Sequence, residues 1–287
     1  MRFAFTDDQL ALRDAVRDFL GKECPPAAVR GAWENDSGRS NLWPKLGAMG
    51  VLGVMADERI GGLGGTELDL VLVLEETGRA ALPEPVVEHA CVAAPLAGGS
   101  GVCTGEHTYT LGLEGFPYVL YADSADFFLL EHERVLHLAE RGAVRCEPVP
   151  AVDGSRRLSQ VIWDPATATG IGGPEAATWA WQRAVFGTSA QLLGLAQHLL
   201  DVTVEHATNR HQFGVPIGSF QAVKHHLANV ALALEFARPV VYRAAYSLAT
   251  GDPDRSVHVS MGKTFASDAA TLAARSALQV HGAIGYT

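Results

Sequence analysis

Residues 210 to 221 read RHQFGVPIGSFQ, a loop rich in glycine and proline-type breakers between two long helical patterns. Arg210, at its first lip, carries a planar and permanently charged fork of donors that matches a diphosphate. Gln221, at the other lip, has an amide that both donates and accepts, as an adenine edge requires. Phe213 lies between them as a flat apolar surface. A helix starting around Ser219 supplies backbone N–H donors and the positive end of its dipole. Taken singly, each of these is equally a surface residue at a helix junction.

A second candidate is QVHGAIGYT at 279–287, with Gln279, His281 and Gly282. Its glycines end a helix and let backbone approach a ligand closely, and the same pattern also serves as a plain Schellman-type stop. GGLGG at 61–65 lacks a GK[ST] ending and follows no strand, so it fits neither nucleotide fingerprint and reads as a connector. The eleven histidines include His225–His226 and the pair His206/His211, with no HExxH and no carboxylate companion, which argues against a metal. The tandem pair is expected to leave one ring buried and one exposed. Cys24, Cys91, Cys103 and Cys146 stand far apart with no CxxC, and read as buried inert thiols rather than a zinc site or a disulfide framework.

The elements that must position these residues fall into three runs. In the first third, Thr6 and Gln9 form a capping-box pattern, and Leu12, Val16, Phe19 and Leu20 follow on one face up to Gly21. WPKLGAMG begins a second helix at Trp43, Thr66 caps a third in which Leu70, Val73, Leu74 and Thr77 share a face, and an apolar helix covers about Val86–Ala97. From Thr104 to about Gly173 the runs YTLGL, PYVLYA, DFFLLE, RVLHLAE and QVIWD are short and β-branched or aromatic, as strands of a small sheet or barrel are. The last third is helical again. Leu195, Leu199, Val202 and His206 form one seam, and Phe220, Val223, Leu227, Val230 and Leu234 form another, both narrow enough for a helical bundle. Pro239 is expected to kink or end the second helix. Asp254 is expected to cap a last helix, which ends at Gly282.

The expected class is therefore mostly α with a small central β domain: a helical N-terminal domain at 1–103, a short β domain at 104–173 and a helical bundle domain at 174–287. A chain of 287 residues that is 48% hydrophobic buries a full core. A net charge of -10 argues against general binding to nucleic acid, which needs a basic face. No apolar run is long enough to span a membrane and the first residues lack a signal-peptide pattern, so a soluble cytoplasmic protein is expected.

With these residues in place, RHQFGVPIGSFQAVKHHLANV, the later QVHGAIGYT and the earlier WPKLGAMGVLGVMADERIGGLGGTELDLVLVLEETGRA resemble the acyl-CoA dehydrogenases. The resemblance covers most of the first and last thirds, in the same order. It implies that family's fold: a helical N-terminal domain, a β domain and a C-terminal four-helix bundle. It implies FAD as cofactor, an acyl-CoA as substrate and an electron-transfer flavoprotein as acceptor. In the family the RxxFG arginine, the later glutamine and the QxxGGxG segment hold the pyrophosphate and adenosine side of the neighbouring subunit's FAD. Carried over, those residues are Arg210, Phe213, Gln221, Gln279, His281 and Gly282, and the loop at 210–221 becomes a clamp for half a dinucleotide.

The middle third departs from the family. Its usual T-E-x-x-x-G-S-D stretch is reduced here to TYTLGLEG, with Glu114 as its remnant, and Ala283 replaces the second glycine of QxxGGxG. No glutamate occupies either family position for the catalytic base. The chain stops at Thr287, and the nearest equivalents on the helix before RxxFG are Arg183 and Ala184, with Glu175 and Glu205 out of register. The resemblance thus implies no catalytic residue in this chain and a complete homologous subunit as partner, in an α2β2 tetramer like the heteromeric enzymes of actinobacterial steroid side-chain degradation. The competing readings are an ordinary homomeric enzyme whose base lies beyond the sequence given, a related flavoprotein oxidase or monooxygenase, and a structural subunit without flavin.

Overall fold

A computed structural model describes residues 4–34 and 41–286. Thr6 closes a capping box with Gln9: the Gln9 N–H donates to Thr6 Oγ1 at 3.2 Å and the Thr6 N–H to Gln9 Oε1 at 2.9 Å. Helix α1, Asp7–Glu23, follows from it and runs two residues past Gly21. A second box at Thr66 and Asp69 starts α4, Glu67–Arg79. The two boxes are joined, because Gln9 Nε2 donates to Asp69 Oδ1 at 2.8 Å. Between them lie α2, Pro26–Glu34, and α3, Leu42–Ala48. The GGLGG connector passes close to the preceding backbone, where a Cβ on Gly62 would lie 2.2 Å from the Ala56 carbonyl oxygen.

The apolar helix expected over 86–97 changes register. Val87–Ala93 is π-helical and only Ala94–Ala97, α5, is α-helical. Pro95 has no N–H to offer an i−4 carbonyl, so an α ladder cannot run unbroken through it. A short α6, Ser100–Thr104, leads into the β region. His89 fastens the two: Nε2–H donates to the Val102 carbonyl at 2.7 Å and Nδ1 accepts from the Tyr109 N–H at 3.2 Å, which fixes a neutral tautomer.

The β region forms two sheets. In the first, β1 (Tyr109–Gly112) runs parallel to β3 (Phe127–His132), followed antiparallel by β4 (Val135–Glu140) and β7 (Thr169–Gly172). The second places β2 (Val119–Leu120), β6 (Leu158–Trp163) and β5 (Val144–Val149) side by side. β5 and β7 are strands that periodicity did not reveal. A small core of Val119, Ala122, Ala125, Phe128, Leu130, Ala139 and Val144 closes this region.

Three long helices follow: α7, Pro174–Asn209; α8, Gln221–Ala249; and α9, Arg255–His281. Helix α4 packs on α7 and α8 as a fourth member of the bundle. Not every expectation for these helices holds. Pro239 does not end α8, which continues to Ala249 because Ala237 and Val241 on either side are fully buried. His225 and His226 are both exposed, since the first turns of α8 are covered only in part, on the side of Val223 and Leu227. Asp254 makes no side-chain cap; Asp252 Oδ1 takes the Asp254 N–H instead, at 2.9 Å. The apolar seams hold in part: Val230 and Leu234 are buried, while Phe220 is exposed and Leu199 and Val202 are half-buried.

Helices α4 and α7 cross backbone to backbone. A Cβ on Gly78 would sit 2.0 Å from the Gln191 carbonyl oxygen, and one on Gly194 1.8 Å from that of Glu75. A substitution there must push two helices apart. Gly194→Ala is expected to cost about 1–3 kcal/mol by overpacking, read as a lowered Tm. Gly21→Ala, on α1 with nothing within 4 Å of the added carbon, is expected to raise Tm slightly, because alanine favours a helix over glycine by roughly 0.5–1 kcal/mol.

Candidate functional site

The end of α7 builds the first half of the site. Arg210 caps that helix, its N–H donating to the His206 carbonyl at 2.8 Å. The chain then folds into a two-residue hairpin, β8 (His211–Gln212) against β9 (Val215–Pro216). Its tip is Phe213 and Gly214, with φ +55 and +80, the left-handed pair that such tight hairpins demand. Glycine takes that conformation freely; a phenylalanine does so under strain. The Phe213 ring is nonetheless 92% exposed, with an edge contact to Phe220 at 6.2 Å between centroids.

A 3₁₀ turn at Ile217–Ser219 then delivers the chain to α8. The first turn of α8 carries no acidic residue and its N-cap, Phe220, makes no side-chain cap bond, so its N–H groups point outward free of side-chain partners. Gln221 is the first residue of this helix and is exposed. Arg210 is exposed and pairs with no carboxylate among the described residues. An unpaired guanidinium beside an uncapped helix N-terminus is the chemistry that receives a diphosphate.

The second half comes from the end of α9. Gly282, at φ +63, stops the helix and begins a 3₁₀ turn, Gly282–Tyr286. Gln279 and Gly282 are exposed and His281 is half-buried; Thr287 lies outside the described residues. The two halves meet through a pair of imidazoles. His206, one turn before Arg210, stacks on His281 with centroids 4.3 Å apart and planes at 24°. Burial, then the neighbouring His281 and Arg210, hold the His206 pKa below the ordinary imidazole value. Sequence reasoning put His206 in an apolar seam and did not connect it to this site.

The positions weighed for a catalytic base look different. Arg183 is occupied: its Nε lies 2.8 Å from Oε1 of Glu67, which is almost fully buried, and its guanidinium lies 5.0 Å from the Trp179 ring centroid. Arg255 approaches the same ring at 4.6 Å. Glu175 and Glu205 are both exposed, near opposite ends of α7, roughly 45 Å apart along its axis at 1.5 Å per residue. They cannot serve one centre. Glu114 is exposed on the turn after β1, where its N–H donates to Glu131 Oε2 at 3.1 Å. Cys24, Cys91 and Cys103 are buried as expected, while Cys146 is half-buried; burial pushes the Cys24 thiol up to about 11 and raises the other three.

Residues 6–100 match the acyl-CoA dehydrogenase N-terminal domain, and residues 172–287 match the acyl-CoA dehydrogenase C-terminal domain. The acyl-CoA dehydrogenase IpdE2 of Mycolicibacterium smegmatis is 31% identical over 289 residues, covering 98% of this chain and 89% of its own. Its namesake in Mycobacterium tuberculosis is also 31% identical, over 98% of this chain and 87% of its own. The chain is an acyl-CoA dehydrogenase family member. Among solved structures, the ChsE4-ChsE5 complex from Mycobacterium tuberculosis has a chain of the same fold, with TM-score 0.89 and 24% identity, covering all of this chain and 90% of that one. An FAD complex of PigA shares the fold at TM-score 0.84 and 19% identity, again over 100% and 90%. Among the described residues no helix is long and apolar enough to cross a membrane.

The Arg183–Glu67 pair reads as structural. Arg183→Ala leaves a buried carboxylate without its cation and is expected to cost about 3–5 kcal/mol in denaturant unfolding. Adding Glu67→Gln to that variant should recover part of the loss.

Proposed function

We propose that this chain is the reduced subunit of a heteromeric, FAD-dependent acyl-CoA dehydrogenase and that it supplies, in trans, the adenosine and pyrophosphate side of the FAD site. One observation carries the reading: Phe213 stands in a strained left-handed backbone, almost wholly in water, in the loop between Arg210 and Gln221. Strained backbone clusters at ligand-binding and switch sites. Arg210 takes the pyrophosphate with the first N–H groups of α8. Gln221 and Gln279 address the adenine and ribose edges, Phe213 covers a flat face, and the turn at Gly282 lets backbone approach beside His281.

The partner is a complete homologous subunit, in an α2β2 arrangement. Exposed apolar side chains on α8 (Leu232, Phe236) and on α9 (Met261, Phe265, Leu272) recur at helical spacing and suit a partner's helices. Bound FAD supplies the hydride acceptor for α,β-dehydrogenation of an acyl-CoA. The α-proton goes to a glutamate of the partner; on α7 the nearest equivalents of one family position for the base are Arg183 and Ala184. The acyl group proposed is a steroid side chain, from the family resemblance, and an electron-transfer flavoprotein is the proposed acceptor.

Alone, the chain is expected to retain little FAD; coexpressed with a complete homologue, it should yield a yellow complex with one FAD per heterodimer. Arg210→Ala removes a charge-assisted contact of about 1.5–3 kcal/mol, and FAD affinity in the complex should fall by roughly one to two orders of magnitude. Stoichiometric FAD in the isolated chain, or unchanged retention by the variant, contradicts the half-site.

The assignment of the base has its own test. Glu175→Gln and Glu205→Gln should leave the rate of flavin reduction by acyl-CoA within a few-fold. Loss of the partner's glutamate should cost more than the ~10²–10⁴-fold typical of general-base catalysis, since proton removal is obligatory. Collapse of activity in either variant of this chain, with FAD still bound, would make this subunit the catalytic one.

A further inference from the structure

We infer that His206 is a positioning residue: its ring, stacked on His281, clasps the end of α7 to the end of α9 and so holds the two halves of the proposed site in register, and the clasp opens on acidification. The consequence for FAD rests on the half-site reading; the clasp itself does not. The geometry is specific. His281 Nδ1 lies 2.8 Å from the Ala277 carbonyl, which can only accept, so Nδ1 carries the proton and the ring orientation is fixed. His206 lies against that ring at 4.3 Å. One turn beyond His206 comes Arg210, and directly after His281 come Gly282 and the 3₁₀ turn. No other ring contact bridges these two helix ends among the described residues.

Charge decides when the clasp holds. The groups acting on His206 are His281 from α9 and Arg210 from its own helix, both cationic or able to become so, with no carboxylate among them. The C-terminal ends of two helices favour one positive charge. A charged His206 ring, facing His281 and Arg210, gains no compensating carboxylate among these groups. Because the folded-state pKa of His206 lies below its ordinary value, the clasp is at full strength above the ordinary imidazole range and is lost as pH falls through the folded value.

The test uses the full chain, without flavin, and reads backbone hydrogen exchange over 278–286, corrected for the intrinsic pH dependence of exchange, between about pH 7.5 and 5.5. The wild-type chain should lose protection several-fold over this interval, in the direction that a lowered folded-state pKa requires. His206→Phe keeps a stacking ring that cannot charge, and should retain its protection at the lower pH. His206→Ala should show low protection throughout. Unchanged protection in His206→Ala, an acid loss in His206→Phe equal to that of the wild type, or no acid loss in the wild type overturns the clasp. Arg210→Ala serves as the separating control. It should lower FAD retention in the complex while leaving exchange over 278–286 within a few-fold. If exchange behaves as expected but Arg210→Ala retains FAD, the clasp stands and the half-site reading fails.

Discussion

The contact on which the rest of the molecule depends is the crossing of α4 and α7. Gly78 and Gly194 let the two backbones meet with no side chain between them. That closeness makes the polar neighbours of the crossing intelligible. Gln191 donates from Nε2 to Thr77 Oγ1 at 3.1 Å inside the contact. Glu75 is driven by burial up to about 7, against a hydrogen bond from Tyr242 and the charge of Arg238. Around the edge, Arg17 grips Glu76 with two bonds, at 3.0 and 2.6 Å, and Arg79 lies 2.7 Å from Asp201. A long helix held this firmly by its middle can carry Arg210 at its far end as a fixed point rather than a mobile one.

What the sequence disclosed follows from the range of the interactions involved. The capping boxes at Thr6 and Thr66 depend on residues three apart, and both form. The buried stripe of α4 and the buried positions Val230 and Leu234 of α8 follow from local periodicity. The strands with alternating or aromatic character were visible. β5, VRCEPV, carries charges and a proline, and β7, TGIG, is half glycine; both exist because β6 and β4 pair with them, which no local pattern records. That α8 continues past Pro239, and that both tandem histidines are exposed, have one reason. Whether a helix continues, and which side of it is covered, is settled by neighbours distant in the chain.

The candidate site shows the same division. Its loop chemistry was legible because Arg210, Phe213, Gly214 and Gln221 lie within one short segment. Its link to the second motif was not, because His206 and His281 are far apart in sequence and meet only when α7 and α9 pack. A histidine on a helix gives no sign of what its ring will stack on. The backbone of Phe213 was equally hidden: a Phe-Gly pair marks a turn, but only coordinates show that both residues take positive φ and that the ring is left in water.

The interior and the surface of this chain have been treated differently, and the contrast supports the proposed role. Inside, several polar groups are matched: Glu67 with Arg183, Glu76 with Arg17, and His89 satisfied on both ring nitrogens. At the bundle end, the opposite holds. Arg210 has no carboxylate partner among the described residues, the first turn of α8 has no side-chain cap, and a strained aromatic stands clear of the core. A free-standing monomer gains nothing from that arrangement, since strain and exposed apolar surface both lower its stability. On the proposed reading, the same features become favourable once an anionic, flat, adenine-bearing group lies across them.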